Sequence, residues 1–336
     1  MMDRSPMIST RTDRLRILLA SAYAAAAVVF AVPSFAQRGP YPSSPVRIIV
    51  GFPPGGGVDV LARVLGQKMS AIWGQPVVVE NRPGAASVVG TRLAIRASPD
   101  GHSVLINSNT MIVNQIVNPA ADYNIERQLI PVINVAWQPT IIVAAPGLPV
   151  ASLPELIART RTRKVSYGTP GQGSMPHLGA VLLFAVLAKT DVLHVPYNGA
   201  APALTATMGG QTDLAFVTMP PAVPFVKAGR LKGIAVTSAR RTAALPDIPT
   251  VAESGFPGYE VNVFSGFFMP AGAPNAAVQR FRDTVLQVLA MPDIREQLAT
   301  LGFEPADTTN EDFRRLVSDE IRKWTKVVQA TGFKLE

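Results

Sequence analysis

The stretch "VRIIVGFPPGGGVDVLARVLGQKM" (residues 46–69) passes from a short apolar, β-branched run through a turn rich in glycine and proline. It then enters a segment with helical spacing of Val58, Leu61, Val64 and Leu65. A buried strand, a tight turn and a helix open a crossover unit, and the chain repeats that order. "PVVVE" (76–80), a helix near 87–97 and "SVLIN" (103–107) come next. Strands alternating with helices imply right-handed crossovers and a mostly parallel sheet, an α/β fold.

The same order returns with "KVSYG" (164–168), a helix over 177–188, "VLHVP" (192–196), a helix over 200–208 and "TDLAFV" (212–217). The chain therefore reads as two similar lobes. Their turns correspond as well: "GFPPGGGVD" (51–59) with "GTPGQGSMPH" (168–177), and "NRPGAAS" (81–87) with "PYNGAAP" (196–202). In open parallel sheets, ligands bind where such turns lie, at the carboxyl ends of the strands. "AWQPTIIVAAPGLP" (136–149) and "YEVNVFSGFFMPAGAP" (259–274) are extended, apolar and proline-bounded, and read as two crossover strands serving as a hinge.

After residue 274 the chain turns helical, with one helix opened by Pro292 and a last one over about 311–330. The last helix has Thr309 and Asp312 in capping-box spacing and a stripe of Phe313, Leu316, Val317, Ile321, Trp324 and Val328. These helices are expected to pack on the first lobe and make it discontinuous. Lobe 1 is then 37–138 plus 264–336, and lobe 2 is 139–263.

With 336 residues, 48% hydrophobic and 16% charged, the chain can bury a substantial core in two domains. Residues 1–36 stand apart. Arg11, Arg14 and Arg16 precede an uncharged apolar run that ends in small residues, with Pro33 and Ser34 just before Ala36. This reads as a secretory signal peptide cleaved between Ala36 and Gln37 rather than as an anchor, leaving a soluble, periplasmic chain. Its removal takes away four Arg and two Asp, so the formal charge of +8 becomes +6, with 27 basic and 21 acidic residues. Only "RTRTRK" (159–164) clusters basic residues, and no aromatics interleave with it, so no nucleic acid is expected as partner. The absence of cysteine excludes disulfides, thiolate metal sites and cysteine nucleophiles.

The first glycine turn fails the tests for a phosphate loop. Val58 and Asp59 follow Gly57 where lysine and a hydroxyl are needed, and Val60 stands where a dinucleotide fingerprint needs glycine. The second turn has Pro176 at the corresponding place. What remains is a set of backbone amides at Gly55, Gly56 and Gly57 with a helix dipole, a site for a carboxylate-sized anion, and a matching site at Gly173 and Ser174 in the other lobe. Two such nests suit a small acid with polar groups at both ends. Valine at Gly56 is expected to abolish binding without unfolding the lobe. Asp59 either stabilises the helix start or lies in the site.

Chemistry beyond binding has little support. There is no serine-hydrolase elbow and no HExxH, and His102, His177 and His194 fit no metal spacing, so no catalytic residue, metal or cofactor is expected. His102 and His194 read as structural, whereas His177 lies beside a nest and is a cleft candidate. Asp213 is either a cleft residue or a turn former, and the "PYNG" turn with Tyr197 and Gly199 should meet the cleft.

"RIIVGFPPGGGVDVLAR", "VVVENRPGAAS", "SPDGHSVLI", "SYGTPGQGSMPHLG", "VPYNGAAPAL", "GGQTDLAF", "LPDIPTVAESGFPGYEV" and "PAGAP" together resemble the extracytoplasmic solute receptors of tripartite tricarboxylate transporters, the Bug receptor family. The resemblance runs in order over about residues 42–336. It implies a two-lobed periplasmic-binding-protein (Venus flytrap, type II) fold, closing over a small organic carboxylate and delivering it to transporter membrane subunits. It implies that the turn Phe52, Pro54, Gly55, Gly56 and Gly57 holds the carboxylate through backbone amides and bridging water. Thr169, Gly173 and Ser174, with Tyr197, Gly199 and Ala200, would do so from the second lobe. Ser108 and Thr110 of the loop "INSNTMIVNQ" and Phe264 on the return crossover complete the expected site.

The chain departs from the usual pattern at four places. Gly51 replaces proline, "NRPGAASVVG" replaces "NRPGAGGNIG", Phe264 replaces tryptophan, and Met111 stands where histidine is frequent. The expectation is a monomeric binding protein and not an enzyme. The same fold used as a ligand-presenting sensor is the alternative, and an α/β hydrolase or nucleotide enzyme lacks its nucleophile and phosphate loop.

Overall fold

The computed structural model describes residues 41–306 and 308–331. The expected leader over 1–36 lies outside them. The first crossover units form as the sequence indicates: β1 (Val46–Val50), α1 (Gly57–Trp73), β2 (Val77–Asn81), α2 (Val88–Ile95) and β3 (Ser103–Ser108). β1 lies between β2 and β3, and both pairings are parallel. Its side chains alternate as a pleat demands: Ile48 and Val50 pack with Leu61 and Leu65 of α1, and Ile49 packs on the opposite face with Leu105 and Phe268. α1 ends where Gly74 adopts φ 62° and returns its N–H to the Ser70 carbonyl.

After β3 the expected cleft loop is instead the helix α3 (Thr110–Val117), followed by the single turn α4 (Ile125–Gln128). Four of its residues, Met111, Ile112, Val113 and Val117, are buried apolar side chains, and "TMIVNQIV" is too short for its helical period to be distinguished from a strand. β4 (Leu129–Ala144) begins seven residues earlier than the expected crossover and runs for sixteen. Up to Pro139 it pairs antiparallel with β9 (Asn262–Pro270), which pairs in turn with β3.

From Thr140 onward β4 belongs to a second sheet. There it pairs with β7 (Leu214–Thr218) on one side and β8 (Lys232–Val236) on the other. β5 (Ser166–Thr169) lies beside β7, and β6 (Leu193–Pro196) forms the edge. The order is β2-β1-β3-β9-β4-β7-β5-β6. Four further helices cover the second sheet or its connections: α5 (Leu153–Thr160), α6 (Met175–Val181), α7 (Ala200–Met208) and α8 (Met219–Lys227). The expected helix over 177–188 does not stay α: residues Leu182–Leu187 wind as a π-helix, which buries Leu183 and Phe184 side by side.

The chain returns through β9 to α9 (Asn275–Leu289) and to α10 (Pro292–Thr300), with Pro292 at its start. The two-residue β10 (Glu304–Pro305) and the long α11 (Asn310–Thr331) follow. The capping box forms: the Asp312 N–H donates to Thr309 Oγ1 at 3.1 Å, and the Thr309 hydroxyl donates to the Asp312 carboxylate at 2.6 Å. Packing of α11 on the first sheet alone is not what occurs. Phe313 and Val317 join Phe264 and Phe268 there, but Trp324 enters the core that holds Leu178, Val261 and Val263 beside the second sheet. The helix is long enough to span both: twenty-two residues at 1.5 Å rise reach about 33 Å.

Candidate functional site

The carboxyl ends of β1, β3, β5, β6 and β7 open toward one space, because each strand there hands over to a turn and a helix. Between these turns lies a cavity of about 40 Å³. The β1–α1 turn contributes Phe52, Pro53, Gly56, Gly57 and Val58, and the end of β3 contributes Ser108 and Thr110. From the second sheet come Pro170, Ser174 and Pro176, then Gly199 and Ala200 at the start of α7, and Thr218 at the end of β7. Val263 of β9 closes the wall, and none of the lining side chains carries a charge.

The two sets of turns touch. Thr110 Oγ1 accepts the Met175 N–H across the cleft at 3.2 Å. Gly199, at φ 112°, would place a Cβ 3.1 Å from the Pro53 ring, so glycine there serves both a left-handed backbone and a close approach. Gly57 is the tighter position: a Cβ would fall 2.0 Å from Gln138 Oε1. That oxygen is buried without a partner, while the Gln138 amide nitrogen donates to Ser265 Oγ and holds the side chain in place.

Phe52, Gly56, Gly57, Ser108, Thr110, Ser174, Gly199 and Ala200 thus meet at the cavity. The other expected residues do not line it. Pro54 and Gly55 remain in the first turn outside the lining, and the Gly55 N–H is given to Asp59 Oδ2 at 2.9 Å. Asp59 faces inward to Arg63 (Nη2–Oδ1 2.9 Å) and to the Asn81 amide (2.8 Å). Burial raises the Asp59 pKa, but the hydrogen bonds from Arg63, Gly55 and Asn81 outweigh it and hold the group below its ordinary value. This carboxylate fastens the turn to β2.

The expected second nest is spent on its own loop. Gly173 N–H donates to His177 Nδ1 (3.1 Å), Ser174 N–H to the Gly171 carbonyl (3.2 Å) and His177 N–H to Ser174 Oγ (3.4 Å). His177 is buried and stacks on His194 with ring centroids 3.9 Å apart. Burial and the neighbouring His194 push its pKa down to about 3, and burial pushes His194 down to about 4. Thr169 Oγ1 bonds His194 Nε2 at 2.8 Å and so supports this stack from beneath.

Tyr197 packs its ring against Gly168 and the core beneath α7. Asp213 sits at the amino end of β7, the far end from the cavity, where it accepts the Ser166 N–H (2.8 Å) and hydroxyl (3.0 Å). Phe264 is fully buried and meets Phe313 edge-on at 5.4 Å. An aromatic ring at that position serves the core between β9 and α11.

Sequence reading missed Pro53, Val58, Pro170, Pro176, Thr218 and Val263. The three prolines lie inside the quoted turns, but attention to amide donors passes over rings that have none. Thr218 could have been found from its place at a strand's carboxyl end. Val263, midway along a crossover strand, carries no signal. Among the described residues, no group of three or more His, Asp or Glu side chains could hold a metal ion.

Residues 61–333 match the family described as the tripartite tricarboxylate transporter family receptor. The chain belongs to this family. The receptor is 32% identical to BugT of Bordetella pertussis over 300 residues, 88% of this chain and 92% of that protein. The structure of Rpa4515 from R. palustris with adipate superposes with a TM-score of 0.84 at 31% identity, covering 87% of the receptor and 98% of that chain. MatC from Rhodopseudomonas palustris with bound malate gives 0.81 at 29% identity, covering 86% and 100%. The receptor therefore has the two-lobed periplasmic-binding-protein fold, and receptors of this family are periplasmic solute-binding proteins. Among the described residues, no helix is long and apolar enough to cross a membrane.

Proposed function

We propose that the receptor captures a small organic carboxylate between its lobes and delivers it to the membrane subunits of a tripartite transporter. The observation that carries this reading is the cavity itself: helix amino ends meet there, and no lining side chain is charged. Oriented N–H dipoles of this kind favour an anion of modest charge. The relatives solved with adipate and malate support a carboxylate as that anion.

The lobes are 37–138 with 264–336, and 139–263. The change of sheet in β4 after Pro139 and the start of β9 at Asn262 support that division. A signal peptide over 1–36 sends the chain to the periplasm, where it acts as a monomer. It is a binding protein and not an enzyme on this reading, which the lack of any acid or base among the residues lining the cavity supports.

Purified receptor, unfolded and refolded to strip bound solute, is to be screened by thermal shift against mono-, di- and tricarboxylates. Stabilisation by at least one acid is expected, since binding to the native state raises the midpoint. A flat response across the set would defeat the proposal. Mass spectrometry of solute carried through purification identifies the acid directly.

A further inference from the structure

We propose that Gln138 and Thr140 are specificity-determining residues, which accept a hydroxyl or amine that the solute carries beside its carboxylate. This rests on the carboxylate reading above and names the class of acid.

The inference comes from the face of the sheet beneath the cavity. Residues directly opposite in an antiparallel pair share a face, as do alternate residues along one strand. Gln138 of β4 stands opposite Val263 of β9, and Thr140 stands opposite Thr218 of β7. Val263 and Thr218 both line the cavity, so Gln138 and Thr140 lie on the face that looks toward it. Ser265, which holds the Gln138 amide nitrogen, stands opposite the lining Ser108 of β3. A row of polar side chains thus crosses the adjacent strands β3, β9, β4 and β7 under the site.

Two oxygens in that row lack a donor. Gln138 and Thr140 are fully buried, and neither Gln138 Oε1 nor Thr140 Oγ1 has a hydrogen-bond partner among the described residues. A buried acceptor left alone is costly unless something supplies the donor. The point where a Cβ of Gly57 would stand is 2.0 Å from Gln138 Oε1 and 3.2 Å from Thr218 Oγ1. The oxygen therefore faces the seam between two lining residues, one from each lobe. α1 begins at Gly57, and the positive end of that helix favours the amide oxygen, rather than its nitrogen, toward the seam.

A carboxylate held at the same helix end sets its neighbouring carbon above β4, where a hydroxyl or amine on that carbon can donate to Gln138 Oε1. Thr140, two residues along, offers a second acceptor on the same face. Lobes closed over a plain alkyl acid would keep both oxygens unpaired. Closed over a hydroxy or amino acid, they pair them.

Calorimetric titration of the purified receptor with matched acids tests this: acetate against glycolate, propionate against lactate, succinate against malate and aspartate, glutarate against glutamate, and tricarballylate against citrate. In at least one pair the hydroxy or amino acid is expected to bind about tenfold more tightly, the cost of leaving a buried acceptor unpaired. Gln138→Met keeps the length and removes the acceptor. It is expected to bring that acid down to the level of its unsubstituted partner, with the partner's own affinity unchanged. Thr140→Val gives up no hydrogen bond that its side chain makes in the structure, and is expected to narrow the same preference with the unfolding midpoint retained. It carries the test if the methionine variant fails to fold. Equal binding across every pair overturns the proposal. So does a preference that neither variant narrows, a fall shared equally by both members of a pair counting as no narrowing, because the donor is then met elsewhere. Both results leave the carboxylate reading intact, whereas silence from every acid overturns both.

Discussion

At the scale of single residues, the glycines of the first turn are not equivalent. Gly56 has φ −77° and ψ 162°, an ordinary extended conformation, and its nearest atom to a Cβ would be the Pro53 carbonyl at 3.8 Å. Gly57 has Gln138 Oε1 where its Cβ would be. Gly56→Ala is therefore expected to fold with wild-type stability, and Gly57→Ala to lose about 1–3 kcal/mol in urea denaturation, the usual range for overpacking. Equal stability of the two would refute the close approach. The sequence pointed to this turn as part of the site, but a run of three glycines cannot say which one is crowded, because the crowding atom comes from β4, some eighty residues on. The turn "NRPGAAS" carries strain that its sequence partly reveals: Ala85, Ala86 and Ser87 all have positive φ, at 45°, 47° and 81°, and the family pattern has glycine at the last two of these positions. Ala86→Gly should raise stability by about 0.5–1 kcal/mol, the relief of left-handed strain less the added unfolded-state entropy. A loss of stability would show that the alanine methyl is needed for packing.

At the scale of elements, the strands and most helices were legible because their apolar periods are local. β1, β3 and α7 lie within a residue of where the pattern puts them. α3 was not legible, since eight mostly buried residues show no polar face. The π-helix was invisible for another reason: its sequence, "LLFAVL", is compatible with an α-helix, and what distinguishes it is the wider hydrogen bonding, with the Ala188 N–H given to the Leu183 carbonyl five residues back. The apolar stripe of α11 was read correctly, but its partners were not. Phe313 and Trp324 sit three turns apart and serve different cores. Between them Glu320, nearly buried, accepts hydrogen bonds from Trp324 Nε1 (3.0 Å) and from the Asn109 amide (2.9 Å), which also reaches the Asn262 carbonyl (3.0 Å). Trp324→Ala should cost about 3–5 kcal/mol, as truncation of buried aromatics does. A loss below about 1 kcal/mol would mean that the second core does not depend on the helix.

At the scale of the molecule, acidification acts through the stacked histidines. Both have folded-state pKa values, about 3 and about 4, below the ordinary 6.5. The unfolded chain therefore binds more protons between those values and 6.5, so their contribution is intact above 6.5 and is lost as pH falls toward 4 and 3. A protonated His177 could not accept the Gly173 N–H, so the loss is felt at the loop beneath the cavity. The midpoint of thermal unfolding should fall between about pH 6.5 and about pH 4, and His194→Gln should flatten that fall. Identical slopes would refute the assignment. Two lobes were legible from the repeated turns, whereas their contact across the cleft was not, because Thr110 and Met175 meet only after both lobes have folded. The long last helix has a consequence for engineering. Exchanging lobes between relatives, to transplant the solute preference of one onto another, requires cuts near residues 139 and 262, but such cuts leave α11 with one end matched and the other foreign. A working chimera should therefore carry the half of α11 around Trp324 from the same parent as the second lobe, even though it is encoded at the opposite end of the gene.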